Sequence, residues 1–222
     1  MSNVRIVIEK TDARKSLITS EDVQDIFRTD LGYDLRLVEL KDLDINRLEN
    51  LLLENPRVEN AELYIDKFNL LNIHITEKKP IVRVDMSASD DYYLDYKGDR
   101  IPVTDVFRVP VVTGYLDSYY PGYRKDKSHN LNDILELAQR VYDDEFLTAL
   151  VEQIHIDKNN EITLVPKLGR DKIILGDANN LDEKFYKLKI YYEKGIKNIG
   201  IEKFDELDFK YEGQIVGRHI DS

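Results

Sequence analysis

The sequence contains no cysteine and no tryptophan in its 222 residues. Without cysteine there is neither a disulfide framework nor a thiolate metal site, and the redox character of the compartment stays open. Basic charge is in short supply: 32 Lys and Arg stand against 43 Asp and Glu, a formal net charge of −11. That balance argues against nucleic-acid backbones and anionic lipid surfaces as main partners, because both call for a basic face. No apolar run approaches the roughly 18 residues of a membrane helix. A signal-peptide pattern is missing too, the chain passing into strand-like alternation at Val4. The four histidines, His74, His129, His155 and His219, have no metal-ligand spacing. Neither a glycine-rich phosphate loop nor a Gly-x-Ser-x-Gly elbow occurs. No metal, cofactor or catalytic residue is therefore expected.

Apolar residues nevertheless make up 42% of the chain, enough for one large core or two small ones. Val4, Ile6 and Ile8 alternate with Arg5, Val7 and Glu9 as in a half-buried strand. Thr19 and Asp22 form a helix-start signal, followed by Val23, Ile26 and Phe27 at helical spacing up to Gly32. A second helix begins near Asp44, buries Ile45, Leu48, Leu51 and Leu52 on one face, and ends before Pro56. Two alternating strands follow, Ala61-Leu63-Ile65 and Leu71-Ile73-Ile75, separated by Asp66-Lys67-Phe68 as a hairpin. Strand, helix, helix, strand, strand within about 75 residues predicts one three-stranded sheet under two helices. That is the order of POTRA modules, small domains beside bacterial membranes.

From Ile81 the pattern changes to short strands: Ile81–Val84, Tyr92–Leu94, an extended 109–116, Gln153–Ile156, Ile162–Val165 and Lys172–Leu175. An amphipathic helix carries Leu131, Ile134, Leu135, Ala138 and Val141. A second opens at Asn180 with Glu183 three residues on, buries Leu181, Phe185, Leu188 and Tyr192, and ends at Gly195. Leu207, Phe209 and Tyr211 alternate with Asp208, Lys210 and Glu212, predicting one terminal strand that runs through Gly213 to Arg218. The expected fold class is α+β: a POTRA domain over 1–79, then a mixed, mostly antiparallel β-rich domain with two main helices over 80–222.

Four fragments in order carry a family resemblance. Glu77-Lys78-Lys79-Pro80 is an acidic-basic-x-Pro junction whose proline ends hairpin pairing. Tyr93-Leu94-Asp95 with Gly98 makes a turn. Pro110-Val111-Val112-Thr113-Gly114 and Asp208-Phe209-Lys210-Tyr211 with Gly213 and Val216-Gly217 complete the set. Together, behind the POTRA-like pattern, they resemble the bacterial cell-division family FtsQ (DivIB), across essentially the whole chain. The resemblance implies a non-enzymatic, single-span scaffold on the extracytoplasmic, periplasmic side of the inner membrane. It also implies a membrane anchor ahead of the stretch that opens at Met1-Ser2. Its partners would be the extracytoplasmic segments of FtsB and FtsL, bound by strand addition to an open sheet edge.

By motif match the partner-binding residues are Tyr211, Gly213, Gln214, Ile215, Val216 and Gly217. Tyr211 is the anchor, and the glycines admit another backbone. Arg218 departs from the aromatic residue the family often has there. The alternative for this stretch is an interior strand with Tyr211 as a core aromatic. Tyr115, Tyr119, Tyr120 and Tyr123 crowd one loop, either as an adhesive patch or as a loop folded onto its own sheet. Two rival functions remain: a POTRA-bearing component of outer-membrane protein translocation, and an envelope hydrolase. The hydrolase requires two carboxylates about 5–9 Å apart in a cleft; Asp90-Asp91 and Asp143-Asp144-Glu145 read instead as charge runs in loops or at helix ends, of the kind that is usually solvated surface.

Overall fold

The computed structural model describes residues 4–12, 14–32, 34–35, 39–86, 91–169, 172–195 and 204–219. The chain divides into two compact units, Met1–Lys79 with Ile101–Phe107, and Pro80–Arg100 with Arg108–Ser222.

The first unit follows the predicted order: β1 (Val4–Glu9), α1 (Ser20–Leu31), α2 (Ile45–Leu53), β2 (Val58–Ile65) and β3 (Leu71–Glu77). Thr19 starts α1 through a reciprocal cap. Its hydroxyl accepts from the Asp22 N–H, and its own N–H donates to the Asp22 carboxylate at 2.7 Å. The Asp22 carboxyl lies below the usual carboxylate range: the hydrogen bonds from Thr19 and the nearby Arg57 guanidinium outweigh the opposing effect of burial, the largest single influence. Asp44 caps α2 by accepting from Arg47 N–H. In the β2–β3 hairpin, Asp66 accepts from the N–H groups of Phe68 and Leu70 and closes the turn. The sheet order is β1-β3-β2, with β1 parallel and β2 antiparallel to β3. Val23 and Phe27 of α1 and Leu48 and Leu52 of α2 bury against Ala61, Leu63, Leu71, Ile73 and Ile75.

Glu77 closes β3 in an unexpected role. Its carboxylate is 3% exposed and accepts from the N–H groups of Leu17 and Ile18 at 2.8 and 3.1 Å, from Thr11 N–H and from the Ser16 hydroxyl. The acid of the junction motif thus organises the loop that leads into α1.

A second sheet has strand order β12-β11-β10-β9-β8-β7-β4-β5-β6. Its strands are β4 (Pro80–Val84), β5 (Tyr92–Asp95), β6 (Arg100–Pro102), β7 (Val111–Gly114), β8 (Val151–Ile156), β9 (Ile162–Pro166), β10 (Lys172–Gly176), β11 (Glu206–Asp208) and β12 (Val216–Arg218). Pairing is mixed: β4–β7, β7–β8 and β10–β11 are parallel, while β4–β5, β8–β9, β9–β10 and β11–β12 are antiparallel. Helices α3 (Leu131–Asp143), α4 (Glu145–Leu150) and α5 (Leu181–Ile190) complete the second unit. Leu131, Ile134, Leu135, Ala138 and Val141 of α3 all enter the core, as their spacing predicts.

Three local readings are corrected. The run Asp143-Asp144-Glu145 does lie at helix ends, but the expectation of two main helices missed α4: Asp144 accepts from the N–H groups of Phe146 and Leu147 and starts it. Asn180 stands at the N-cap but makes no side-chain cap; its backbone is left-handed at φ 53°, outside the extended conformation in which an N-cap side chain reaches the first turn. The helix then widens into a π turn over Tyr191–Gly195, which shifts the buried phase to Tyr191 and leaves Tyr192 half-buried.

The third correction concerns the terminal strand, which is two strands. After β11 the chain turns at 209–215 and returns as β12, antiparallel, with Glu206 opposite Arg218, Leu207 opposite Gly217 and Asp208 opposite Val216. Two features fold it back. Asp208 accepts from Lys210 N–H at 3.0 Å, bending the chain just past β11, and Gly213 takes φ 72°, a left-handed conformation that side-chain-bearing residues resist.

Candidate partner-binding edge

The hairpin places the six predicted residues in two settings. Tyr211, Gly213 and Gln214 lie exposed in the connection, while Ile215 packs half-buried against the core. Val216 and Gly217 lie in β12. Tyr211 is 45% exposed, so the core-aromatic reading fails; the buried aromatic of this stretch is Phe209, at 1%.

β12 ends the strand order, and β6 ends it on the other side. An end strand directs alternate N–H and C=O groups outward, a template for another strand that proteins commonly blunt with proline. β6 carries such a proline, Pro102, whereas Val216-Gly217-Arg218 carries none. Of the two ends of this nine-strand order, β12 is therefore the one that no proline blunts.

Gly217 has a different use from the one its type implies. A Cβ there would stand 2.6 Å from the Phe204 ring, so the open face above the glycine is filled by the chain's own aromatic. Phe204 also tilts against the His219 ring, centroids 5.4 Å apart. Gly217→Ala should thus force Phe204 aside and cost about 1–3 kcal/mol, as overpacking does. Urea unfolding of the chain, with Phe204→Leu as a second-site suppressor, measures this; unchanged stability in Gly217→Ala would show that the ring does not hold the strand.

Beneath the edge, Asp208 is fully buried, and its second oxygen accepts from the Arg218 guanidinium at 2.9 Å. Arg218 thereby ties β12 across to β11. The connection is pinned on both sides. Lys210 reaches Glu161, just ahead of β9, at 3.0 Å, which raises the pKa of the lysine, and its stem covers Gly176 at the end of β10. From α5, Lys187 Nζ donates to the Tyr211 carbonyl at 2.9 Å, and Glu183 accepts from Gly213 N–H at 3.4 Å. The Gly213 N–H, then Lys187, hold the Glu183 carboxyl below its ordinary range.

Sequence reasoning missed Phe204, Asp208, Arg218 as a tie, and the Glu183–Lys187 pair. Only the last left a signal, an acid four residues before a lysine on one helix face.

The other candidate places differ. In the tyrosine loop Tyr123 is buried and Tyr119 half-buried, in a chain of ring contacts with Tyr92, while Tyr115 and Tyr120 are exposed. Burial pushes the Tyr92 hydroxyl up to about 12, against the pull of Arg100. Asn130 anchors the loop's start by donating to the Tyr115 carbonyl and accepting from Asp117 N–H. The loop is thus folded back on its own sheet along one half.

A groove of about 320 Å³ lies between the α3–α4 corner and α5, lined by Asp143, Asp144 and Asp182 among others. All three acids are engaged: Asp143 by the Tyr96 hydroxyl, Asp144 as the α4 cap, Asp182 by Arg140 at 2.7 Å. Asp91 pairs with Arg83, and Asp90 lies outside the described residues. His74 and His155 are exposed on their strands, and no group of three or more metal-ligating side chains occurs among the described residues. Nor is any described helix long and apolar enough to cross a membrane.

Compared with known families, residues 79–218 match the model described as FtsQ/DivIB, C-terminal related, and residues 2–76 match the one described as POTRA-like domain. A comparison with curated proteins returns no match.

Proposed function

The chain belongs to the FtsQ/DivIB C-terminal-related family, and from that premise we propose that it recruits FtsB and FtsL to the division septum by accepting a strand at β12. Family membership supports a divisome-type role of the scaffold kind rather than a known enzymatic one. The observation that carries the finer reading is the proline-free strand β12 at the end of the nine-strand order, with exposed Tyr211 beside it. Strand addition draws affinity from main-chain hydrogen bonds and register from flanking side chains. Tyr211 supplies broad contact area with few rotatable bonds. On this reading the edge works on the extracytoplasmic side of the inner membrane, where both partners present their soluble segments.

Titration calorimetry with the extracytoplasmic FtsB and FtsL segments of the same organism tests this. Wild type should bind, and Tyr211→Ala should weaken binding by about 1–2 kcal/mol, the scale of an interfacial aromatic anchor. The substitution leaves the Tyr211 carbonyl available to Lys187, so the turn is retained. Equal binding by the folded variant would keep the scaffold and remove Tyr211 from its site. A folded wild type that binds neither segment, singly or mixed, would sink the recruitment reading and favour the translocation role of POTRA-bearing proteins.

A further inference from the structure

β11 and β12 pair over three residues each, and seven residues connect them. So short a ribbon is marginal by itself. A slip of one residue would turn every side chain of β12 to the opposite face. Gly217 would leave the Phe204 ring, and Arg218 would leave Asp208. A hold on the connection would therefore reinforce the register that these two contacts set.

Two side chains of α5 are placed to do so. Glu183 and Lys187 stand four residues apart on one helix face, 3.2 Å from each other. One takes the N–H of Gly213 and the other the C=O of Tyr211. Holding a carbonyl and an N–H two residues apart restricts the backbone of Glu212 between them, at the apex of the connection. The Lys187 side chain is only 14% exposed along its length, while its bond to the Tyr211 carbonyl lies at the exposed surface. A carbonyl bound by a charged donor is held more firmly than one bound by a neutral donor.

We propose that Glu183 and Lys187 are positioning residues for the partner edge: they clamp the 209–215 connection against α5 and so present β12 in a single register. The inference rests on the reading of β12 as the partner edge. The clamp touches no partner; it removes in advance the ordering cost that strand addition would otherwise meet at binding.

The test uses the whole chain with Lys187→Met, which keeps the stem and loses the charge, and Lys187→Arg, which restores a cationic donor. Amide hydrogen exchange is followed at Gly213 and Val216–Arg218, with β8 and β9 amides as internal controls. Affinity is measured for the FtsB and FtsL segments. In Lys187→Met the hairpin amides should exchange about 10-fold faster or more while the controls stay unchanged, and affinity should fall by about 5- to 20-fold, within the range that preorganisation accounts for. Lys187→Arg should recover most of both. Unchanged hairpin exchange in Lys187→Met overturns the clamp whatever the segments do. A loosened hairpin with undiminished affinity overturns its role in binding. Wild type that binds neither segment would overturn the recruitment reading instead, leaving the clamp to stand or fall on exchange alone.

Discussion

Replacing Glu77 with alanine is expected to cost the first unit about 3–5 kcal/mol. The side chain is 3% exposed, and removing it strands the N–H groups of Leu17 and Ile18, themselves at 1% and 0% exposure. Each buried donor left without an acceptor costs about 1–3 kcal/mol, and the Ser16 hydroxyl loses its carboxylate as well. A unit of this size is stable by about 4–12 kcal/mol in all. The variant should therefore sit close to its unfolding transition at room temperature. Glu77→Gln retains one oxygen acceptor and should lose roughly half as much. Urea unfolding, followed by exchange of the β2 and β3 amides, decides the matter. A loss under about 1 kcal/mol in the alanine variant would mean that water replaces the carboxylate and the loop needs no acceptor of its own.

The second large effect lies at the β11–β12 hairpin. Arg218→Ala should destabilise the second unit by about 2–3 kcal/mol, since it leaves the fully buried Asp208 carboxylate without its guanidinium. A fully buried pair broken on one side costs about 3–5 kcal/mol. The smaller value applies because the Arg218 side chain is itself 47% exposed, so water partly screens the interaction. Asp208→Asn keeps an acceptor for Lys210 N–H and removes the charge. Arg218→Ala combined with Asp208→Asn should then cost less than the sum of the single changes. Additivity within about 0.5 kcal/mol across the cycle would show the two side chains to be uncoupled. If the proposed function holds, Arg218→Ala should also weaken FtsB and FtsL segment binding, because the pair joins β12 to β11.

Local interactions made much of this legible beforehand. The Thr19–Asp22 start of α1, the Asp44 cap of α2 and the 66–70 turn depend on residues within a few positions of one another. So does the burial of α3 along one stripe. Periodicity and capping chemistry therefore placed these elements correctly, and four short fragments in sequence order pointed to the family that the 79–218 match supports. Where the local pattern was ambiguous, the reading erred. Asp143-Asp144-Glu145 has the composition of a surface charge run and of a helix start at once. Alternation from Leu207 to Glu212 looks like one continuous strand, because hydropathy cannot see a backbone turn.

The sequence by itself determined the element order of the first unit, the 66–70 turn and the buried stripe of α3, since each follows from contacts or spacing between residues close in the chain. Only the tertiary structure decided that the last strand is a hairpin whose return leg, β12, ends the strand order. It alone showed that Gly217 makes room for Phe204, that Asp208 holds Arg218, and that α5 reaches the turn through Glu183 and Lys187. The reason is distance along the chain. Glu77 meets Leu17 from 60 residues away, Lys187 meets Tyr211 from 24 and Lys210 meets Glu161 from 49. No period or local motif registers a bond of that span, because its partners become neighbours only when the sheets have formed.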